Sequence, residues 1–277
     1  MQHSQDKHPQ SRSRMMTMYI DTHCHLDASE FGNTQADLVS NAAAADVGGI
    51  VVPSVARANF AIVRELCERF PCCAPAYGIH PMYTDDALPE DISEVHAYLS
   101  NHQPVAVGEI GLDFFVDHYD RVRQEYFFTE QLKLAGELDL PVLLHLRRAQ
   151  DTILKYLRQH RVCGGIAHAF NGSRQQADEF IKLGFKLGFG GAMTYSRATR
   201  LRELAATLPL ECIVLETDAP DIPPDFLGRR EPNKPEYLPR IAQTLAELRG
   251  MQLEDIAQAT TANVFSVLPK LRAHLTP

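Results

Sequence analysis

Short apolar runs rich in valine and isoleucine recur along the chain, and each ends on a glycine, a proline or a polar side chain. They are YIDTH (19–23), GGIVVPS (48–54), APAYGIH (74–80), PVAVGEI (104–110), PVLLH (141–145), GGIAHAF (164–170), FKLGFGG (185–191) and CIVLETD (212–218). Each has the length and the bounding residues of a buried strand. Helical spacing fills gaps between them, over 60–66, Arg123 to Leu140, Arg174 to Leu183 and Arg200 to Leu208. In the longest of these, Phe127, Phe128, Leu132, Leu134 and Leu138 fall within reach of one face. A strand and then a helix, eight times over, predicts an α/β fold: a (β/α)8 TIM barrel in a single domain. A doubly wound open sheet is the alternative, but no glycine fingerprint follows the first strand.

Composition is that of a globular protein: 277 residues, 45% hydrophobic and 22% charged. Residues 1–18 are polar and mildly basic, without the apolar core of a secretory signal. They read as a disordered tail ahead of a barrel over 19–277, or as an over-extended start with Met15, Met16 or Met18 as initiator. No stretch approaches the ~20 apolar residues that span a bilayer. None of the six cysteines forms a CxxC pair, so reduced thiols in a cytoplasmic protein are expected. A monomer is the default. The net charge of −8 argues against a protein that coats nucleic acid by charge alone. It leaves room for a nucleic-acid enzyme whose bound cations reverse the local sign.

Polar residues fall at the strand ends, where a barrel of this kind builds its active site. His23 and His25 end the first run and His80 the third. Glu109 ends the fourth, His145 the fifth, His168 the sixth, and Glu216 and Asp218 the eighth. Residues i and i+2 of a strand share a face, so His23 and His25 both turn to the mouth while Cys24 turns away. Burying this many polar groups is costly unless they coordinate something. Four of these histidines, His23, His25, His145 and His168, with Glu109 and Asp218 exceed the four ligands of one zinc, which predicts two divalent ions, Zn, Mg or Mn. Glu109, on a central strand, is placed to bridge cations about 3.5–4 Å apart. Asp218 would touch metal and accept a proton, its pKa held low by the cations.

The motifs IDTHCHLD, GIHP, GEIGLD, HLRRA, AHAFNGS and ETDAP together resemble the TatD family of metal-dependent deoxyribonucleases, in the amidohydrolase-like barrel superfamily. The resemblance spans roughly residues 19 to 268, in the family's order. It implies that His23, His25 and Asp218 hold one ion, His145 and His168 a second, and that Glu109 bridges. It implies 3′→5′ exonuclease action on a DNA end, through a water activated by both metals, with Asp218 as the catalytic base. His80, Arg147, Arg148 and Asn171 are candidate substrate contacts, and Glu216 is placed to orient a ligand. Asp113 reads as a helix cap or an arginine partner. Asn233 and Pro235 keep the family's Asn-x-Pro element and shape the last loop. One departure is Asp221, directly after ETDAP, which adds negative charge near the site and weakens the assumption that the substrate is DNA.

Two other functions compete with a phosphodiesterase. The same centre supports attack on a carbonyl carbon in an amide, lactone or aminoacyl ester. A metal-loaded barrel without turnover would be a binding module.

Overall fold

Each of the eight predicted runs contains a strand in the computed structural model, which describes residues 18–228 and 231–275. The predicted tail, apart from Met18, lies outside the described residues. The strands are β1 (Tyr19–Asp21), β2 (Val47–Pro53), β3 (Cys73–Tyr77), β4 (Ala106–Asp113), β5 (Val142–Arg147), β6 (Gly165–Ala167), β7 (Phe185–Phe189) and β8 (Ile213–Leu215). They pair in sequence order and every pairing is parallel. A helix follows each: α1 (Gln35–Ala44), α2 (Phe60–Arg69), α3 (Asp91–Asn101), α4 (Arg121–Glu137), α5 (Gln150–Gln159), α6 (Arg174–Lys182), α7 (Thr199–Thr207) and α8 (Leu238–Arg249). Two more, α9 (Leu253–Val267) and α10 (Pro269–His274), complete the chain. None of the described helices is long and apolar enough to cross a membrane.

The sheet closes rather than staying open, and it closes at the histidines. Beyond β1 and β8, Cys24 and Ala219 form a parallel bridge. The Thr22 N–H donates to the Leu215 carbonyl at 3.2 Å, Asp218 N–H to the His23 carbonyl at 2.8 Å, and His25 N–H to the Ala219 carbonyl at 2.8 Å. Asp21 locks this seam: one carboxylate oxygen accepts the Thr217 N–H at 2.9 Å and the other accepts the Thr217 hydroxyl. A doubly wound sheet would leave these two edges apart.

Apolar residues divide into two layers. Outward-facing positions such as Val52, Leu144 and Leu187 pack under the helices with Phe127, Phe128 and Phe180. Inward-facing Ile20, Val51, Ala74, Ala76, Leu143, Ile166 and Val214 form the barrel floor. The floor is plugged from below by Val264, Phe265 and Val267 of α9 and Leu271 of α10. Small inward residues leave space for this plug; a Cβ on Gly49 would lie 2.7 Å from Leu275.

Two strands depart from plain alternation. In β4, Val107 opposes Val142 but Ile110 opposes Leu144, so the register shifts between them. Ala106 belongs to the floor, whereas Val107 and Ile110 both pack outward. The irregularity turns Glu109 and Asp113 into the mouth, as bulges re-aim side chains. Glu109 therefore lies in mid-strand, not at the strand end where the sequence pattern put it. In β1 a register shift lies between Tyr19 and Ile20, and the regular strand stops at Asp21, before the two histidines.

Leu271 is fully buried in the floor plug. Leu271→Ala should lower unfolding free energy by about 2–5 kcal/mol through lost transfer and a cavity. Urea denaturation followed by far-UV circular dichroism measures it.

Candidate metal centre

The mouth opens into a cavity of about 1850 Å³ lined by every strand-end residue singled out above except His23. At its base sits the Glu109 carboxylate, 1% exposed, with imidazoles on two sides. Its Oε2 lies 3.0 Å from His23 Nε2 and 3.4 Å from His25 Nε2. Its Oε1 lies 3.0 Å from His145 Nδ1, 3.4 Å from His168 Nε2 and 3.5 Å from His80 Nε2. Asp218 Oδ1 closes the first side, 3.7 Å from His23 Nε2 and 3.8 Å from His25 Nε2.

Among the described residues, three groups are tight enough to hold an ion: His23 with His25 and Asp218; His23 with Glu109 and His168; and His80 with Glu109 and His145. The first is the predicted set. His145 and His168, predicted to share the second ion, do not fall in one group; their ring centroids are 6.1 Å apart, although both face the same Glu109 oxygen. His168 instead stacks on His23, centroids 3.8 Å apart.

The donor chemistry fits a borderline divalent cation. His23 and His25 turn their Nε2 atoms on one point, 3.3 Å apart, beside two carboxylate oxygens. His23 Nδ1 is buried without a hydrogen-bond partner, so all of its polar contacts run through Nε2. Mixed imidazole and carboxylate donors suit Zn or Mn well.

The far nitrogen of each outer histidine decides what it can do at the centre. His145 Nε2 lies 2.9 Å from Asp113 Oδ2, so its N–H is used there and Nδ1 is free to face the centre as a ligand. Asp113 is fully buried, and its other oxygen accepts the N–H groups of Phe115 and Val116 at 2.9 and 3.3 Å. It orients His145 rather than capping a helix or pairing an arginine. The sequence offered only the four-residue interval within GEIGLD that puts Glu109 and Asp113 on one face. His80 is the reverse case: its Nδ1 accepts the Met82 N–H at 3.1 Å, leaving Nε2–H as a donor toward Glu109. The GIHP histidine is thus built to donate, not to coordinate.

Glu216 supports His168. Its Oε1 is 3.3 Å from His168 Nδ1, close enough to pair charge though off the line of a hydrogen bond, and it accepts the Ala169 N–H. A Cβ on Gly188 would lie within 2.2 Å of Glu216, so only glycine leaves this carboxylate its slot. Gly111, at φ 153°, is equally confined: a Cβ there would meet the His145 carbonyl at 1.9 Å. Asn233 fixes the loop after Asp218 by donating to the carbonyls of Thr217 and Ile222 at 2.7 and 3.2 Å.

Of the rim residues, Arg147 and Arg148 both lie over the Phe115 ring, at 3.7 and 4.5 Å from its centroid. Neighbours on an extended segment would point opposite ways; Arg148 escapes this because its backbone turns into the left-handed region, φ 55°. Asn171 is held by Arg200, which donates to its Oδ1 at 3.0 Å. Asp221 is exposed on the cavity wall. Ser173 caps α6, accepting the Gln176 N–H.

Charge is balanced inside the centre by protons. Burial opposes the charged form of His168, but Asp218, Glu216 and Glu109 outweigh it and raise its pKa to about 10. Against burial, Glu109, Asp218 and Asp27 likewise raise His25 to about 9. Burial dominates at His23 and His80, lowering them to about 3 and about 4. Burial also raises Glu109, yet the surrounding imidazoles hold it well below the usual carboxylate range. Asp218 is pushed up to about 6, chiefly by burial.

A family model described as "TatD related DNase" matches residues 20–269. The chain is 41% identical over 257 residues to YjjV of Escherichia coli K12, named an uncharacterized metal-dependent hydrolase, across 91% of this chain and 98% of that one. The YjjV crystal structure superposes with a TM-score of 0.88, covering 92% of this chain and 99% of that one at 40% identity. A protein of Klebsiella pneumoniae named 3′-5′ ssDNA/RNA exonuclease TatD is 33% identical over 253 residues, 88% of this chain and 95% of that one.

Two measurements test the geometry. Neighbouring carboxylates raise the pKa of His25, His145 and His168 in the absence of metal, and a ligating imidazole must be neutral. Metal uptake at pH 7 should therefore release protons, and affinity should rise with pH. Calorimetry in buffers of different ionisation enthalpy reads the number. Asp113→Asn should weaken metal affinity about 10–100-fold by freeing His145 to rotate, as chelator competition would show.

Proposed function

Because the chain belongs to the TatD-related DNase family of metal-dependent hydrolases, we propose that its centre hydrolyses phosphodiester bonds, working from the 3′ end of a single strand of DNA. The observation that carries this reading is the two-sided Glu109 carboxylate, with His23 and His25 on one oxygen and His145 and His168 on the other. We assign His23, His25 and Asp218 to one divalent ion, His145 and His168 to a second, and Glu109 to both. When bound, Zn, Mg or Mn ions supply Lewis acidity toward the phosphoryl oxygens and lower the pKa of a coordinated water.

The protein groups divide the remaining work. Asp218 sets its carboxylate on the cavity beside His23 and His25, in place to take a proton from the attacking water. Its side chain is 13% exposed, so the carboxylate reaches the cavity while its backbone stays pinned to His23. His80, neutral at pH 7 and donating through Nε2, is suited to hydrogen-bond the leaving oxygen. Arg147 and Arg148 offer planar forks to a substrate phosphate. Glu216 holds His168, and Asn171 shapes the rim. The depth of the cavity favours a strand end over a duplex interior, and the exonuclease name of the Klebsiella relative supports the same choice.

The test uses 5′-labelled single-stranded DNA with Mg²⁺, Mn²⁺ or Zn²⁺, against an EDTA control. A metal-dependent ladder shortening from the 3′ end is expected. Asp218→Asn should lower turnover about 10²–10⁴-fold with the thermal midpoint retained; a near wild-type rate removes the role assigned to it. Glu109→Ala should lose metal as well as activity, and two ions retained per chain by mass spectrometry would contradict a bridge. Metal retained without any cleavage by the wild type would move the substrate to a carbonyl compound.

A further inference from the structure

Among the described residues, four large hydrophobics that stand open to solvent, Phe115, Met82, Tyr83 and Leu88, line the cavity. Phe115 is 43% exposed. Burying an aromatic ring releases free energy, so one left open at the mouth of a site marks a surface for a partner group.

Phe115 is also built into the centre. Its backbone N–H is held by Asp113, whose other oxygen faces His145. The adjacent Phe114 N–H donates to the Arg147 carbonyl at 2.8 Å, fixing the Phe114–Phe115 turn against the end of β5. The ring therefore stands at a set place relative to a proposed metal ligand. Arg147 and Arg148 lie over it, and neither forms an ion pair with a carboxylate among the described residues. Arg57, on the opposite side of the cavity, is by contrast neutralised by Asp91 and Glu94. Both guanidinium groups rest over this 43% exposed ring, at 3.7 and 4.5 Å from its centroid, so a flat ring can take the place of one of them on Phe115 as that group moves to an adjoining phosphate.

Resting on the phosphodiesterase reading, we infer that Phe115, with Arg147 and Arg148, seats the nucleobase next to the scissile phosphate. The centre is thereby selective for base-bearing strands over simple phosphodiesters. The ring receives the base by stacking, which is tolerant of sequence because every base has a π face. The guanidinium groups take the adjoining phosphates. Asp221, Asp86 and Asp27 make other parts of the wall acidic, so the strand leaves across the β4–β5 sector.

The experiment measures fluorescence anisotropy of 5′-fluorescein single-stranded DNA on the metal-loaded protein, with phosphorothioates at the last 3′ linkages to suppress cleavage. A second strand carries abasic tetrahydrofuran in place of its three 3′-terminal bases. Wild type should bind the base-bearing strand about tenfold more tightly. Phe115→Ala should erase that preference and Phe115→Tyr should keep it. Equal binding of the two strands by wild type, or a preference that survives Phe115→Ala, overturns the inference. Cleavage of the unmodified strand is scored separately. A preference without cleavage overturns the phosphodiesterase reading and leaves the base seat standing; cleavage without a preference does the opposite.

Discussion

A carboxylate buried at the base of the barrel mouth, with five imidazoles about it, is the constraint to which the other residues there answer. Glu109 cannot be left alone as a charge in a low-dielectric site, and it cannot be neutralised by protonation because the imidazoles hold its pKa down. The compensating positive charge must sit on its neighbours, as protons or as bound cations. Which neighbour offers a lone pair and which offers a hydrogen is then settled one contact further out. Asp113 takes the outer N–H of His145, so its inner nitrogen can be a donor atom to metal. The Met82 N–H occupies the outer nitrogen of His80, so its inner nitrogen keeps the hydrogen. Two histidines that look equivalent in a list of strand-end residues are chemically opposite.

Alternation explains why so much of this centre is legible in the chain. In β5, β6 and β8 the floor residues Leu143, Ile166 and Val214 are followed two positions later by His145, His168 and Glu216. A period of two carries the same face from apolar floor to polar mouth, and Asp218 continues it. The barrel itself was readable because runs and helices alternate with little else between them. What could not be read is whatever depends on how one strand meets another. The shift in β4 that turns Glu109 inward is a property of its pairing with β5, not of GEIGLD alone. Asp21 finds Thr217 across 196 positions, and Asp113 finds His145 across 32. Local spacing holds no trace of either partner. The direction of Arg148 is hidden for a related reason, since its left-handed backbone belongs to the loop after β5 and not to the strand alternation.

The same separation of floor and mouth answers how a strained mouth persists. Asp218, Arg148 and Ala169 all adopt positive φ, at 58°, 55° and 43°. A conformation of this kind costs a non-glycine residue about 1–3 kcal/mol and survives only where its surroundings over-determine it. Here they do. Asp218 is tied through its N–H to His23 and its loop through Asn233, and Ala169 donates to Glu216. Glu216 in turn occupies the slot that Gly188 leaves open. None of these side-chain ties involves the floor, where Leu271, Phe265 and the small inward residues form an apolar cluster. Stability and chemistry are thus divided along the barrel axis. The apolar end supplies cohesion through burial, and the polar end can hold unfavourable backbone and concentrated charge because its cost is borne by a core built on the same strands.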